Sequence, residues 1–126
     1  MSPSKILIIE DEAVVSLDIT RRLEKMGYEV MGRLASGEEA LELVQQDPPH
    51  LVLMDINLQG DLDGIETANK LYQNHNIPVI YLTAYAGEST LERAKESKPY
   101  GYILKPFKER ELRATIEIAL SRHQTE

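Results

Sequence analysis

Three acids, one hydroxyl and one ammonium each stand where an apolar run of this chain stops. Glu10-Asp11 follow Lys5–Ile9, Asp55 follows 51–54, Thr83 follows 78–82 and Lys105 follows 100–104. Carboxylates brought together repel one another and take up protons unless a cation joins them. A few hard oxygen donors describe a Mg²⁺ site that keeps several of its waters. With such a cation present, Asp55 can stay ionised and nucleophilic, while Mg²⁺, Lys105 and the Thr83 hydroxyl meet the charge of an incoming phosphoryl group. The chemistry that this set of residues suggests is phosphorylation of Asp55. A lone Asp at the end of a strand more often just turns the chain; its company argues for more.

The company depends on elements that deliver all five residues to one rim. Leu51-Val52-Leu53-Met54 leave no polar face, so as a strand they must be covered on both sides, as in a parallel sheet between helices. Lys5–Ile9 reads the same way. Val15, Ile19, Leu23 and Met26 then form the stripe of a helix over 13–26, with Gly27 at a left-handed stop. Glu29–Leu34 is more polar, as expected of an edge strand. Ser36 and Glu39 read as a capping box opening a helix whose inner side is Ala40, Leu41 and Val44, ended by Asp47-Pro48-Pro49.

After Asp55 comes a loop from 56 to 63, rich in Asp, Asn and Gly, and then a helix over 64–74 with Ile65, Ala68 and Tyr72 on one face. The helix over 88–97 offers only Leu91 and Ala94 as apolar anchors, so it should shift easily. Leu112, Thr115, Ile116, Ala119 and Leu120 define the last helix. The expected fold is α/β, a flavodoxin-like (βα)5 doubly wound parallel sheet of five strands in order 2-1-3-4-5, because crossovers of this kind are right-handed. Its loops beyond the carboxyl ends of the strands form the ligand crevice. Residues 1–126 read as one domain, with a core over about 5–122 and no repeat or linker.

Composition excludes several classes. The 126 residues contain no cysteine, hence no disulfide framework and no thiolate metal site. Apolar runs fall far short of the roughly 20 residues that span a bilayer, and no signal peptide is visible, so a cytoplasmic domain without membrane contact is expected. With 21 acidic against 14 basic residues the net charge is -7, and no basic patch is evident, so nucleic acid is not an expected partner. His50, His75 and His123 fall near element ends and read as surface or capping residues.

Glu10-Asp11, Met54-Asp55, Asp63-Gly64-Ile65-Glu66, Thr83-Ala84 and Lys105-Pro106-Phe107, in this order and each at a strand end, resemble the receiver domain of two-component response regulators. The resemblance covers nearly the whole chain. It implies Asp55 as phosphoacceptor, and Mg²⁺ held by Glu10, Asp11, Asp55 and the backbone carbonyl of Asn57. It further implies Thr83 and Lys105 as phosphoryl contacts, Tyr102 as the aromatic switch that moves with Thr83, and a cis Lys105-Pro106 bond. Asn57 and Tyr85 stand at the positions that tune the lifetime of the phosphoryl group. The donor would be a sensor histidine kinase or phosphotransfer protein. Output would pass by protein contact through 88–122, which also leaves room for a weak homodimer.

This sequence departs from the usual pattern in having Glu10 where Asp is commoner, and in a loop after Asp55 that is one residue longer and lacks Met-Pro. Loops of this type resemble those of receivers attached to sensor kinases in multidomain proteins. The terminal 121–126 carry no Gly or Pro stop, so the last helix could run on into a following segment. On that helix Phe107, Ala114 and Ile118 are expected to form a second, outer stripe, a candidate docking surface. Two rival functions are weaker. An Asp-nucleophile phosphohydrolase would want a general acid two residues after Asp55, where Asn57 stands, so the domain is expected to be a slowly turning-over phosphoacceptor and not an enzyme. A flavin or nucleotide binder would meet repulsion from Glu10-Asp11-Glu12 in its first loop.

Overall fold

The computed structural model describes residues 3–56, 58, 63–84, 88–97 and 99–124, with backbone alone for 88–91. The expected alternation is present: β1 (Lys5–Ile9), α1 (Ala13–Lys25), β2 (Glu29–Leu34), α2 (Gly37–Gln46), β3 (Leu51–Asp55), α3 (Gly64–His75), β4 (Val79–Thr83), α4 (Glu88–Glu96), β5 (Gly101–Leu104) and α5 (Glu109–Gln124). All strand pairs are parallel, in the order β2-β1-β3-β4-β5. The more polar β2 does lie at an edge.

Alternation along each strand divides the core in two. Leu7, Ile9, Val52, Met54, Val79 and Tyr81 pack with Ala40 and Val44 of α2, Ile65, Ala68 and Leu71 of α3, and Ala94 of α4. Ile6, Ile8, Leu51, Leu53, Ile80 and Leu82 pack with Ile19 and Leu23 of α1 and Leu112, Ile116 and Ala119 of α5. Every residue of β3 and β4 is buried, as their unbroken apolar runs require. The Lys105-Pro106 bond is cis, as expected.

The local details depart from expectation in three places. Ser36 does cap α2, its Oγ accepting from the Glu39 N–H at 3.2 Å, but the reciprocal half of the box is missing. The Glu39 carboxylate accepts from the Ser36 hydroxyl instead, at 3.0 Å. Tyr72 does not share the stripe of Ile65 and Ala68: Leu71 takes that place, and half-buried Tyr72 turns to the other core. Phe107 precedes α5 and packs partly against the α1/α5 core, so it contributes nothing to an outer stripe.

The complete capping box belongs to α3. Asp63 Oδ1 accepts from the Glu66 N–H at 2.8 Å and Glu66 Oε1 accepts from the Asp63 N–H at 3.2 Å. The other Asp63 oxygen, Oδ2, accepts from Arg93 Nη2 of α4 at 2.9 Å. One side chain therefore fixes the start of α3, the end of the loop after Asp55 and a point on α4. An N-cap is worth about 0.5–2 kcal/mol. In urea unfolding, Asp63→Ala should cost about that much, whereas Asp63→Asn, which can still accept from Glu66, should lose appreciably less. Equal losses would show that the cap is not what Asp63 contributes.

Candidate functional site

The register of the sheet brings the strand ends level. Ile9 pairs with Met54, Asp55 with Leu82 and Thr83 with Leu104, so the residues that follow emerge on one rim. Three backbone bonds continue the ladder and pin the exits: Glu10 N–H to Leu34 O at 2.9 Å, Ile56 N–H to Leu82 O at 3.1 Å and Lys105 N–H to Thr83 O at 2.8 Å. Strand parity then aims the side chains. Glu10 continues the face of Ile6 and Ile8, Asp55 that of Leu51 and Leu53, and Lys105 that of Ile103.

Glu10, Asp11, Asp55 and Lys105 are thus brought together, while Thr83 ends β4 at the parity of Val79 and Tyr81, in line with the other face of the sheet. One carboxylate oxygen from each of Glu10, Asp11 and Asp55 lies within 4.8 Å of the others. Glu10 is 3% and Asp55 6% exposed, while Asp11 faces solvent. An all-carboxylate donor set of this kind could hold a divalent cation, and its hardness suits Mg²⁺. Thr83, 3% exposed, has a buried hydroxyl with no hydrogen-bond partner among the described residues. Such an orphan costs about 1–3 kcal/mol unless a partner arrives.

As an ammonium at the end of a buried strand, Lys105 demands a partner, and it has two: Nζ donates to Glu10 Oε1 at 2.6 Å and forms a looser ion pair with Asp55 Oδ2 at 3.8 Å. The buried Glu10 carboxylate holds the lysine through Oε1. Its second oxygen accepts from the Glu12 N–H at 3.2 Å. Burial nevertheless raises Glu10 to a pKa of about 7; the bond from Lys105 opposes the rise and the neighbouring Asp55 adds to it. Burial works against the charge on Lys105, but the bond to Glu10 and the fields of Asp55, Glu10 and Glu12 outweigh it, so its pKa is raised.

Tyr102, on β5 opposite Tyr81, is 40% exposed, with the two ring centroids 5.9 Å apart. Two contacts beyond it escaped the sequence. The hydroxyls of buried Tyr81 and Ser97 are 2.5 Å apart, and Ser97 Oγ donates to the Ala94 carbonyl at 2.6 Å. The signal was available, since a tyrosine in an all-apolar strand must find a partner for its hydroxyl. The Arg93–Asp63 pair had no such signal, because it depends on where α4 docks. Asn57 and Tyr85 lie outside the described residues, as does the side chain of Leu91.

The histidines are capping and surface groups as expected. His50 Nδ1 accepts from the Lys5 N–H at 2.8 Å, and His123 Nε2 lies 2.8 Å from the carbonyl of Asn76, the left-handed cap of α3. What sequence separation hid is that all three line one cavity of about 170 Å³, at the end of the sheet away from the acids.

Residues 6–117 match the family described as response regulator receiver domain. The chain is 37% identical over 120 residues to the transcriptional regulatory protein PdtaR of Mycobacterium tuberculosis, an alignment covering 95% of this chain and 58% of that protein. The chain therefore spans little more than half the length of that curated relative. Among solved structures it superposes on the signal receiver domain of a modulated diguanylate cyclase from Desulfovibrio desulfuricans G20 with a TM-score of 0.94, 36% identity and 98% coverage of both chains. It also superposes on the N-terminal domain of a response regulator/sensory box/GGDEF 3-domain protein from Carboxydothermus hydrogenoformans, with a TM-score of 0.88, 36% identity and 96% and 97% coverage.

The raised pKa of Glu10 has a definite sign in pH dependence. The folded state holds this proton up to about pH 7, the unfolded chain only to about 4.5. Stability from this group is fully present below the unfolded value and is lost as pH rises through the folded one. Without divalent cation, thermal unfolding should therefore show stability falling between pH 5 and 8, and Glu10→Gln should remove that component. Identical pH profiles for the two proteins would contradict the assignment. Binding of a divalent cation should release a proton near neutral pH, readable by calorimetry in buffers of different ionisation enthalpy.

Proposed function

The chain belongs to the response regulator receiver domain family, and on that premise we propose that Asp55 accepts a phosphoryl group from a kinase phosphohistidine in a Mg²⁺-dependent two-component phosphorelay, switching a protein-interaction face. The family is generally a phosphoacceptor and not an enzyme. The observation that carries the reading is nearly buried Asp55 with an oxygen within 4.8 Å of oxygens of Glu10 and Asp11 and another 3.8 Å from the ammonium of Lys105, while Thr83, whose buried hydroxyl has no partner among the described residues, ends the neighbouring strand.

In the proposed transfer, an Asp55 carboxylate oxygen forms the new bond to phosphorus as the phosphorus–nitrogen bond of the donor breaks, and the imidazole leaves with the electron pair. Mg²⁺ held by Glu10, Asp11, Asp55 and the Asn57 carbonyl would supply charge neutralisation for the clustered acids and the phosphoryl oxygens. Thr83 donates its hydroxyl proton in a hydrogen bond to a phosphoryl oxygen, and Lys105 pairs with another. Beside the rim, an apolar groove of about 730 Å³ between α1 and 105–107, with Val14 exposed on its wall, gives a protein donor a surface to seat on. Asn57 and Tyr85 tune the lifetime of the product.

For output, movement of Thr83 toward the new phosphoryl group vacates space into which Tyr102 turns, and α4 follows. Among the described side chains it is held by buried Ala94, by Arg93 on Asp63 and, just past its end, by Ser97 on Tyr81. Exposed Tyr102, Leu104 and Ile118 then form part of the signalling face within 88–122. Acting through protein contacts suits a domain of charge -7 better than contact with nucleic acid does. Among the described residues no helix is long and apolar enough to cross a membrane. We propose 1–126 as one receiver domain, working in the cytoplasm.

Two experiments test this. Incubation with acetyl phosphate and Mg²⁺ should add one phosphate to the intact mass, and Asp55→Asn or chelation of Mg²⁺ should abolish the gain; full labelling of the mutant would sink the site. Arg93→Ala should free α4 and bias the domain toward the phosphorylated form. An exposed pair is worth up to about 1 kcal/mol, so labelling should quicken by up to about fivefold. A slower rate would assign the pair to the active state instead.

A further inference from the structure

α3 begins against the main chain of Asp55. Gly64, the first residue of α3, is buried, and a Cβ added to it would lie far inside contact distance of the Asp55 carbonyl oxygen, 3.1 Å from the Cα of Ile56 and 3.2 Å from the carbonyl carbon of Asp55. These are main-chain atoms, which cannot rotate aside as the end of a side chain can. The conformation of Gly64 does not itself call for glycine, since among the described glycines only Gly27 has a positive φ. In an open helix alanine would be the better residue by about 0.5–1 kcal/mol. Glycine is thus demanded by the closeness of one backbone to another, at the residue proposed to carry the phosphoryl group.

We propose that Gly64 is a positioning residue for phosphorylation of Asp55, letting the first turn of α3 seat directly on the acceptor's peptide and so fix where its carboxylate stands. This rests on the reading of Asp55 as the phosphoacceptor. The seat is firm on the helix side. Asp63 is held by both halves of its capping box, by the Thr67 hydroxyl, which donates to its carbonyl at 2.9 Å, and by Arg93. Ile65, on the other side of Gly64, is buried in one core with Ala68 and Leu71. Asp55, by contrast, is the last residue of β3 and leads into the segment between β3 and α3. A methyl group at position 64 therefore displaces the acceptor more than the helix. The two must separate by roughly 1 Å to reach ordinary contact, and a displacement of that size at a reacting group can cost about 10²-fold in rate.

The test compares Gly64→Ala with Gly37→Ala by acetyl phosphate labelling in Mg²⁺. Gly37 holds the same place in α2, one residue after the cap, but there a Cβ would crowd the Thr67 side chain and not the acceptor's main chain. Rates are counted per folded molecule, with the folded fraction read by circular dichroism and trimethylamine N-oxide added to keep either variant folded. Gly64→Ala should label at least about tenfold more slowly than the parent, and Gly37→Ala at close to the parental rate. Two further readouts follow the acceptor itself: in Gly64→Ala the Ile56 amide resonance should shift, and Mg²⁺ should bind more weakly because the Asp55 carboxylate has moved, whereas Gly37→Ala should leave both as they are. A glycine that serves packing alone would lower stability and leave the rate per folded molecule and the Mg²⁺ affinity unchanged. That result in Gly64→Ala, or equal slowing by the two variants, overturns the role of Gly64; labelling of the parent but not of Asp55→Asn then leaves the acceptor assignment standing. No labelling of the parent, or full labelling of Asp55→Asn, overturns that assignment and this inference with it.

Discussion

Lys105 bonded to Glu10, within reach of Asp55, is the interaction on which the rest of the site depends. Three carboxylates converge at the carboxyl edge of the sheet, two of them nearly buried, and burial of like charge is unfavourable without a compensating cation. The lysine supplies one positive charge. Burial raises the pKa of Glu10 even so, and the buried hydroxyls of Thr83 and Ser16 have no partner among the described residues. A site under-satisfied in this way gains from a divalent cation and from a group with phosphoryl oxygens, which is the physical content of a receiver poised to react.

The same imbalance reaches the rest of the molecule through helices held by different means. α1, α3 and α5 each bury two large apolar side chains and α2 buries Val44 with Ala40, so their positions are set by close packing. The described grip of α4 is one small buried residue, Ala94, an ion pair to Asp63 and a hydroxyl contact to Tyr81. Both polar contacts lead back toward the site: Asp63 ends the loop that begins after Asp55, and Tyr81 lies two residues before Thr83 on β4. A helix whose described contacts are two directional bonds and one small core residue is gripped by less apolar surface than one seated by large side chains.

Periodicity and punctuation determined the architecture. Unbroken apolar runs of four or five residues required strands covered on both faces, helical stripes required the intervening helices, and right-handed crossovers then left the strand order 2-1-3-4-5. Glu10, Asp11, Asp55, Thr83 and Lys105 were legible because each stands at a strand end, and in a parallel sheet all strand ends on one side form a single rim. Type and position along the chain were enough for that.

Tertiary structure decided what depends on length and direction of side chains. It gave Lys105 a hydrogen bond to Glu10 beside its longer ion pair with Asp55, a second partner that sequence position does not reveal. It gave the complete capping box to Asp63 and Glu66 and half of one to Ser36 and Glu39, since both motifs have the same spacing and differ only in where the side chains turn. It linked Asp63 to Arg93, Tyr81 to Ser97, and three separated histidines to one cavity. Spacing within an element is fixed by the geometry of helix and strand, and so can be read from the chain. Contacts between elements follow from the docking of one packed surface on another, which only the folded chain specifies.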